Sequence, residues 1–335
     1  MLNRGPVRRA VFGCVVVLFS VFLGFYSTTE YVAVRGIDYI ENGPQIERHL
    51  AVLEGSAGNP WQYRVLAPFL IDQWIRSLAN FGVEDPVAIG LISFRVFQDS
   101  VVLLMAFFLY RKLRLSSALS LTGMAVLAWG MATSHYDSDL QFSTFFDVLF
   151  YLVAALCVVH RKFWMMVPIV ALAALNRETS GLLLIVVLMA PFFAVPRESI
   201  RRNLYPFFVA AIVFFAIFCG LRFVFPDQNL IVPYGHEPGF DLLSHNLFRL
   251  VTWRQLVGTL SVFPLIALMG YRYWRPEIRL LFWVIVPVWF GVHAVGSVMA
   301  ETRLFLVPQA VVFIPGALCA LEGFGCGREG GSEPG

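Results

Sequence analysis

Charge is scarce in this sequence. Asp, Glu, Lys and Arg make up 14% of its 335 residues, where soluble domains carry about 25%, and that shortage excludes an ordinary water-soluble globule. Cysteine is scarce as well, with five in the chain. Cys14, Cys157, Cys219 and Cys319 sit inside apolar blocks and Cys326 near the C-terminus, so neither a disulfide framework nor a zinc knuckle is expected. Lysine occurs only at Lys112 and Lys162. The net charge of +3 is spread over short clusters and forms no single basic patch, which argues against nucleic acid as a partner. There is no glycine-rich phosphate loop, no internal repeat and no separate soluble domain.

What the chain does have is apolar sequence. Apolar residues account for 58% of it and the mean hydropathy is +0.72. They fall into blocks of roughly 14–24 residues, close to the ~20 that a helix needs to cross a bilayer. The expected fold is all-α: a polytopic membrane helix bundle of about ten spans, near 10–27, 87–110, 116–132, 143–160, 163–176, 180–195, 204–224, 252–270, 280–299 and 304–322. The first is read as a retained anchor, because Gly24-Phe25-Tyr26-Ser27 offers no clean cleavage site.

Basic clusters orient the bundle. Arg4, Arg8 and Arg9 hold the N-terminus inside; Arg111-Lys112, Arg161-Lys162, Arg197/Arg201/Arg202 and Arg272/Arg275/Arg279 then fall on the same side. Most acids fall on the other. The expectation is therefore a cytoplasmic-membrane protein with both termini cytoplasmic. Residues 1–322 form one transmembrane domain, with 28–86 as the first extracytoplasmic loop and 225–251 as the second. Residues 323–335 read as a disordered cytoplasmic tail. Trp61–Leu78 and 239–251 are expected to be amphipathic helices lying in the membrane interface.

Four polar constellations fall on the outer side: Asn59 to Pro68 with Asp38 and Glu41 before it; His135-Tyr136-Asp137-Ser138-Asp139, with Asp147 in the next span; Asn176-Arg177-Glu178-Thr179; and Glu301-Thr302-Arg303. The third is the most telling. The apolar block before it would be only about 20 Å long as a helix, against a hydrocarbon core of about 30 Å, so the turn should be recessed in the outer leaflet. Ionisable residues at that depth mark function unless they are merely snorkelling. His135-x-Asp137-x-Asp139 offers nitrogen and oxygen ligands to a divalent ion, although loop acids facing solvent would look the same. No cofactor is firmly implied. Arg95 and Asp99, one helical turn apart inside the second span, read as a buried structural pair, and His293 as a hydrogen-bonded core histidine.

Arginines of this kind can hold a phosphate, and carboxylates can take a proton. At these residues the chain resembles the GT-C class of integral membrane glycosyltransferases, in particular the bacterial branch with a Tyr-Arg-x-Leu-x-Pro element in the first outer loop. That element is here Tyr63-Arg64-Val65-Leu66-Ala67-Pro68. The resemblance implies transfer of a sugar from a polyprenyl-phosphate donor to a hydroxyl of a glycan, lipid or protein acceptor, outside the cytoplasm. It assigns Asp38 as catalytic base or orienting carboxylate, with Asp137 or Asp139 as substitute. Arg64, Arg177 and Arg303 would bind the donor phosphate, and Tyr63, His135, Asp137, Asp139, Asn176, Glu178 and Glu301 would shape the substrate pocket. The alternative is a transporter or flippase for a lipid-linked or anionic substrate, which would spread polar residues through the full membrane depth.

Overall fold

The computed structural model describes residues 4–136, 139–140, 142–194, 200–225, 228–229, 232 and 235–326. It is 84% helix, with no strand among the described residues. The helices are α1 (Arg4–Arg35), α2 (Ile37–Glu41), α3 (Pro44–Leu53), α4 (Leu66–Asn80), α5 (Pro86–Lys112), α6 (Ser117–Thr133), α7 (Phe142–Val159) and α8 (Met166–Asn176). They continue as α9 (Leu182–Ala194), α10 (Ile200–Val224), α11 (Phe240–Phe248), α12 (Leu250–Leu260), α13 (Phe263–Met269), α14 (Pro276–Gly296), α15 (Leu306–Pro308) and α16 (Ile314–Cys326).

Among the described residues, six helices are long and apolar enough to cross a membrane: Val7–Arg35, Pro86–Lys112, Phe142–Val159, Asn203–Val224, Pro276–Gly296 and Thr302–Phe324. A seventh span is formed if α12 and α13, bent by 71° at their junction, count as one. This is a membrane protein with six to seven candidate spans. The sequence blocks at 116–132, 163–176 and 180–195 are helical too, but as the shorter apolar helices Ser117–Thr133, Phe163–Asn176 and Glu178–Phe193.

Local chemistry sets several of these boundaries. Asp85 caps α5 by accepting from the Ala88 amide (3.4 Å), and Pro86 follows where a missing N–H costs nothing. Ser116 caps α6 through the Leu119 amide (3.2 Å). In contrast, α1 runs to Arg35, beyond the expected end of the first span. Its extra turns are held by a small core in which Tyr31 packs with Ile40, Ala67, Ile71 and Leu91. The first loop therefore begins as a rigid extension of α1. Trp61–Leu78, expected to be one helix, is a 3-10 turn (Trp61–Tyr63) followed by α4, with Arg64 at the break. Residues 323–326, assigned from sequence to the tail, continue α16, while 327–335 lie outside the described residues.

The main core runs through α5, α6, α7, α14 and the last span, and includes the fully buried Tyr110, Tyr151, Trp289 and Phe305. Close approach depends on small residues, as in other membrane bundles. A Cβ on Gly24 of α1 would lie 2.9 Å from the backbone of Val96 in α5, and one on Gly130 of α6 would meet the Gln309 amide at 2.7 Å. The predicted pair is present within α5: Arg95 Nε lies 2.9 Å from Asp99 Oδ1, both buried. His293 is a core histidine, its Nδ1 2.8 Å from the Trp289 carbonyl.

Near the other long loop, Asn246 of α11 is fully buried. Its Nδ2 donates to the Ala294 and Ser297 carbonyls (2.8 Å each) and its Oδ1 accepts from the Met299 amide (2.9 Å). Replacing Asn246 with alanine leaves three backbone groups without that partner. The expected cost is about 1–3 kcal/mol, measurable as a lower thermal midpoint in detergent with faster proteolysis of α11.

Candidate functional site

The α8–α9 junction is where the short helices stop. Arg177 is extended (φ −159°, ψ 150°), between the end of α8 and a 3-10 turn at Glu178–Gly181. The break is enclosed by protein: Asn176 is fully buried and Arg177 is 6% exposed. Asn176 Nδ2 donates to the Ser143 carbonyl (2.7 Å) and to Asp147 Oδ1 (2.8 Å). Arg177 Nη1 sits 3.3 Å from both Asp147 Oδ2 and Thr144 Oγ1. All three partners are in the first two turns of α7.

The first loop supplies the other half. Arg64 Nη2 reaches Glu178 Oε1 and Oε2 at 3.3 and 3.4 Å. Burial lowers the Arg64 pKa from its ordinary value, with Arg177 acting in the same direction and Glu178 opposing both. Two arginines from distant parts of the chain are thus within electrostatic reach of one another, each held by an acid. The Arg64 guanidinium lies over the Trp61 ring at 4.5 Å, and Arg48 of α3 over the same ring at 4.3 Å. Arg48 is also paired with Asp139.

These side chains border a solvent-open cleft with about 420 Å³ of empty space. Gln45, Arg48, His49, Arg64, Asp139 and Ser143 give it polar walls, and Trp61, Pro68, Ile71 and Phe142 a partly apolar lining. Burial lowers the His49 pKa, with Asp72 opposing, so the cleft wall favours its neutral imidazole. Leu140 and Phe142 are held by three side chains. Gln45 Oε1 accepts from the Leu140 amide (2.6 Å), Arg95 donates to the Leu140 carbonyl, and Gln98 Nε2 donates to the Phe142 carbonyl (2.9 Å).

Of the residues expected from sequence, Arg64, Asp139, Asn176, Arg177 and Glu178 belong to the cleft or the buried cluster beneath it. Tyr63 is buried next to them, with the Arg222 guanidinium 4.3 Å over its ring. Asp38, expected as the catalytic base, is exposed on α2, accepts from Asn42 Nδ2 at 3.0 Å and is not among the residues lining the cleft. The His135 ring contacts the Ala132 carbonyl (3.0 Å), and its own carbonyl accepts from Arg35 (2.9 Å). Arg303 is buried, with Glu301 as its ion-pair partner at 2.6 Å, in the 3-10 turn that opens the last span. Asp137 lies outside the described residues. Among the described residues, no three His, Cys, Asp or Glu side chains are grouped to hold a metal ion.

The sequence alone assigned no role to Gln45, Arg48, His49 or Arg222, and placed Trp61 only at the edge of an interfacial helix. Arg222 carried a signal, as a lone arginine near the end of an apolar span; Arg48 and His49 looked like ordinary loop residues. Tyr151 and His293 lie within electrostatic reach of Arg177. Trp289 stacks on His293 (4.8 Å) and meets Tyr151 edge-on (5.1 Å), so an aromatic layer extends from the cluster toward the 302–305 turn. No family of known proteins, no curated protein and no solved structure matches this chain.

Proposed function

We propose that the chain is a GT-C-like glycosyltransferase of the cytoplasmic membrane, moving a sugar from a polyprenyl-phosphate donor to an acceptor hydroxyl at the extracytoplasmic face. In this reading all ten apolar segments enter or cross the bilayer, and both termini are cytoplasmic. The observation that carries it is the meeting of Arg64 and Arg177 beside an open cleft, with apolar helices on the flanks and Asp139 in the cleft wall. A membrane-embedded donor needs no nucleotide site. It needs cations for its phosphate, a wall for its sugar and a carboxylate for the acceptor.

Arg64 lines the cleft and would hold the donor phosphate, with Arg177 behind it supplying positive potential. Arg48 and Trp61 would border the sugar. Asp139, not the exposed Asp38, is the carboxylate that faces the cleft, and it would orient or deprotonate the acceptor. Glu301 and Arg303 keep an outer role at the 302–305 turn. The bent α12–α13 pair is the feature a transporter would share; a transporter would move labelled lipid between leaflets without forming a glycosidic product.

The direct test is transfer from a labelled polyprenyl-phosphate sugar by the purified full chain, with co-purifying lipid extracted and its headgroup identified. Replacing Arg64 with alanine should raise the donor KM about 10–100-fold, the worth of one or so charge-assisted hydrogen bonds. An unchanged donor KM would remove Arg64 from the phosphate site. Lipid movement without product would favour the transporter.

A further inference from the structure

A second polar hollow is built from different elements: the 235–239 segment, α11 and the residue that follows it. The Gly239 amide donates to the Val295 carbonyl (2.7 Å), tying this segment to α14. Asp241 Oδ2 accepts from the Glu237 amide (3.2 Å) and lies 3.1 Å from His236 Nδ1. The carboxylate thus folds residues 236–237 back over the first turn of α11. That brings the His236 ring to 4.2 Å from His245, centroid to centroid, while Arg249 Nη1 is 3.1 Å from His245 Nε2. Asp241, His245 and Arg249 recur every fourth residue along one flank, as a helix requires for side chains that share a face.

His236, Asp241, Ser244, His245, Phe248 and Arg249 line the resulting open hollow, with about 530 Å³ of empty space. Its surroundings are apolar and uncovered. Phe240 is 90% exposed, Phe248 86% and Leu250 81%, and the stripe continues along α12 as Trp253 and Val257. Soluble surfaces do not present such a run, whereas an interfacial helix buries it among acyl chains. A cation is a poor occupant, because the described residues contain no metal-binding group of three. Arg249 and two imidazoles instead offer N–H donors to an anion. The ligand that satisfies both halves is an amphiphile with an anionic head.

We propose that this hollow binds the phosphate of an anionic phospholipid, with Arg249, His236 and His245 around the headgroup and Phe240, Phe248 and Leu250 against its chains. Such a contact would anchor the α11–α12 segment at the membrane surface. The groups acting on His245 are His236, Arg249 and Asp241; burial lowers its pKa, His236 and Arg249 act in the same direction, and Asp241 opposes them. A bound phosphate adds a second anion and favours the imidazolium. Binding should therefore strengthen as pH falls through the ordinary histidine range.

The test is native mass spectrometry of the full chain from phosphatidylcholine nanodiscs doped with phosphatidylglycerol, whose phosphodiester keeps one negative charge across the pH range used. Wild type should retain phosphatidylglycerol in preference to phosphatidylcholine, more so at about pH 5.5 than at about pH 7.5. The double variant Arg249→Gln/His245→Gln should weaken retention about tenfold or more, and Arg249→Lys should keep part of it. Phe240→Ser/Phe248→Ser should weaken retention of the lipid as well. Equal retention of both lipids by wild type overturns the proposal. So does undiminished retention by a double variant with unchanged thermal midpoint, or equal competition by inorganic phosphate, which would make it a site for free anions. None of these outcomes depends on sugar transfer, which the Arg249/His245 variant should retain.

Discussion

Changing Asp139 to asparagine is expected to slow sugar transfer about 10²–10⁴-fold, the usual worth of a positioned general base, with little change in thermal midpoint. Asp139 is the carboxylate that lines the cleft, and its side chain is almost fully buried. Asparagine keeps its size and one acceptor oxygen while removing the charge and the proton-accepting function. The cation it abandons is Arg48, whose side chain is 34% exposed and still lies over Trp61. A cation so placed stays hydrated, and breaking such a pair costs little. The matched comparison is Asp38→Asn. Loss of transfer there, with Asp139→Asn active, would return the catalytic role to the exposed turn at 37–41. If both variants transfer sugar at the wild-type rate, neither carboxylate serves the acceptor.

The second large effect concerns folding before it concerns chemistry. Arg177→Ala should destabilise the chain by about 3–5 kcal/mol, the usual cost of leaving a buried charge without its partner. Asp147 is 2% exposed; after the substitution it keeps the uncharged Asn176 as a hydrogen-bond partner, and Arg64 is the cation left within electrostatic reach. Neutralising Asp147 as well should repair most of that loss: Arg177→Ala/Asp147→Asn is expected to approach the wild-type midpoint in detergent. Transfer should not recover with it, because the positive potential behind Arg64 is gone. A double variant that is both stable and active would show the Asp147–Arg177 pair to be structural only. A single variant as stable as wild type would mean that water reaches Asp147, contrary to its burial.

The short α8–α9 junction shows why some of the site was legible from residue order. A block of apolar residues too short for the bilayer marked Asn176 and Arg177 as polar residues needing partners, and both are buried among protein groups. Arg95 and Asp99 were legible for a similar reason, since helical spacing alone puts them on one face. The span count is where counting apolar residues stops being sufficient. Composition marks ten blocks, but helix length depends on where the backbone breaks, and three blocks are short helices. Arg48 could not have been placed in advance: α3 is an ordinary polar segment until the 3-10 turn at Trp61 brings its guanidinium over that ring.

Residue order by itself determined the solvent in which this protein folds, the helical class that solvent imposes, and the polar break at Asn176–Glu178. These follow from local quantities: apolar run length, hydrogen-bond satisfaction in lipid and the rise per residue. Which charges share a neighbourhood was decided only by tertiary packing. Arg64 meets Glu178 across 114 residues, Arg48 meets Asp139 across 91, and Asp38 turns away to Asn42. No local rule encodes the first two pairings, because each depends on how the first loop packs against the ends of the later helices; the Asp38–Asn42 contact, one helical turn apart, is local.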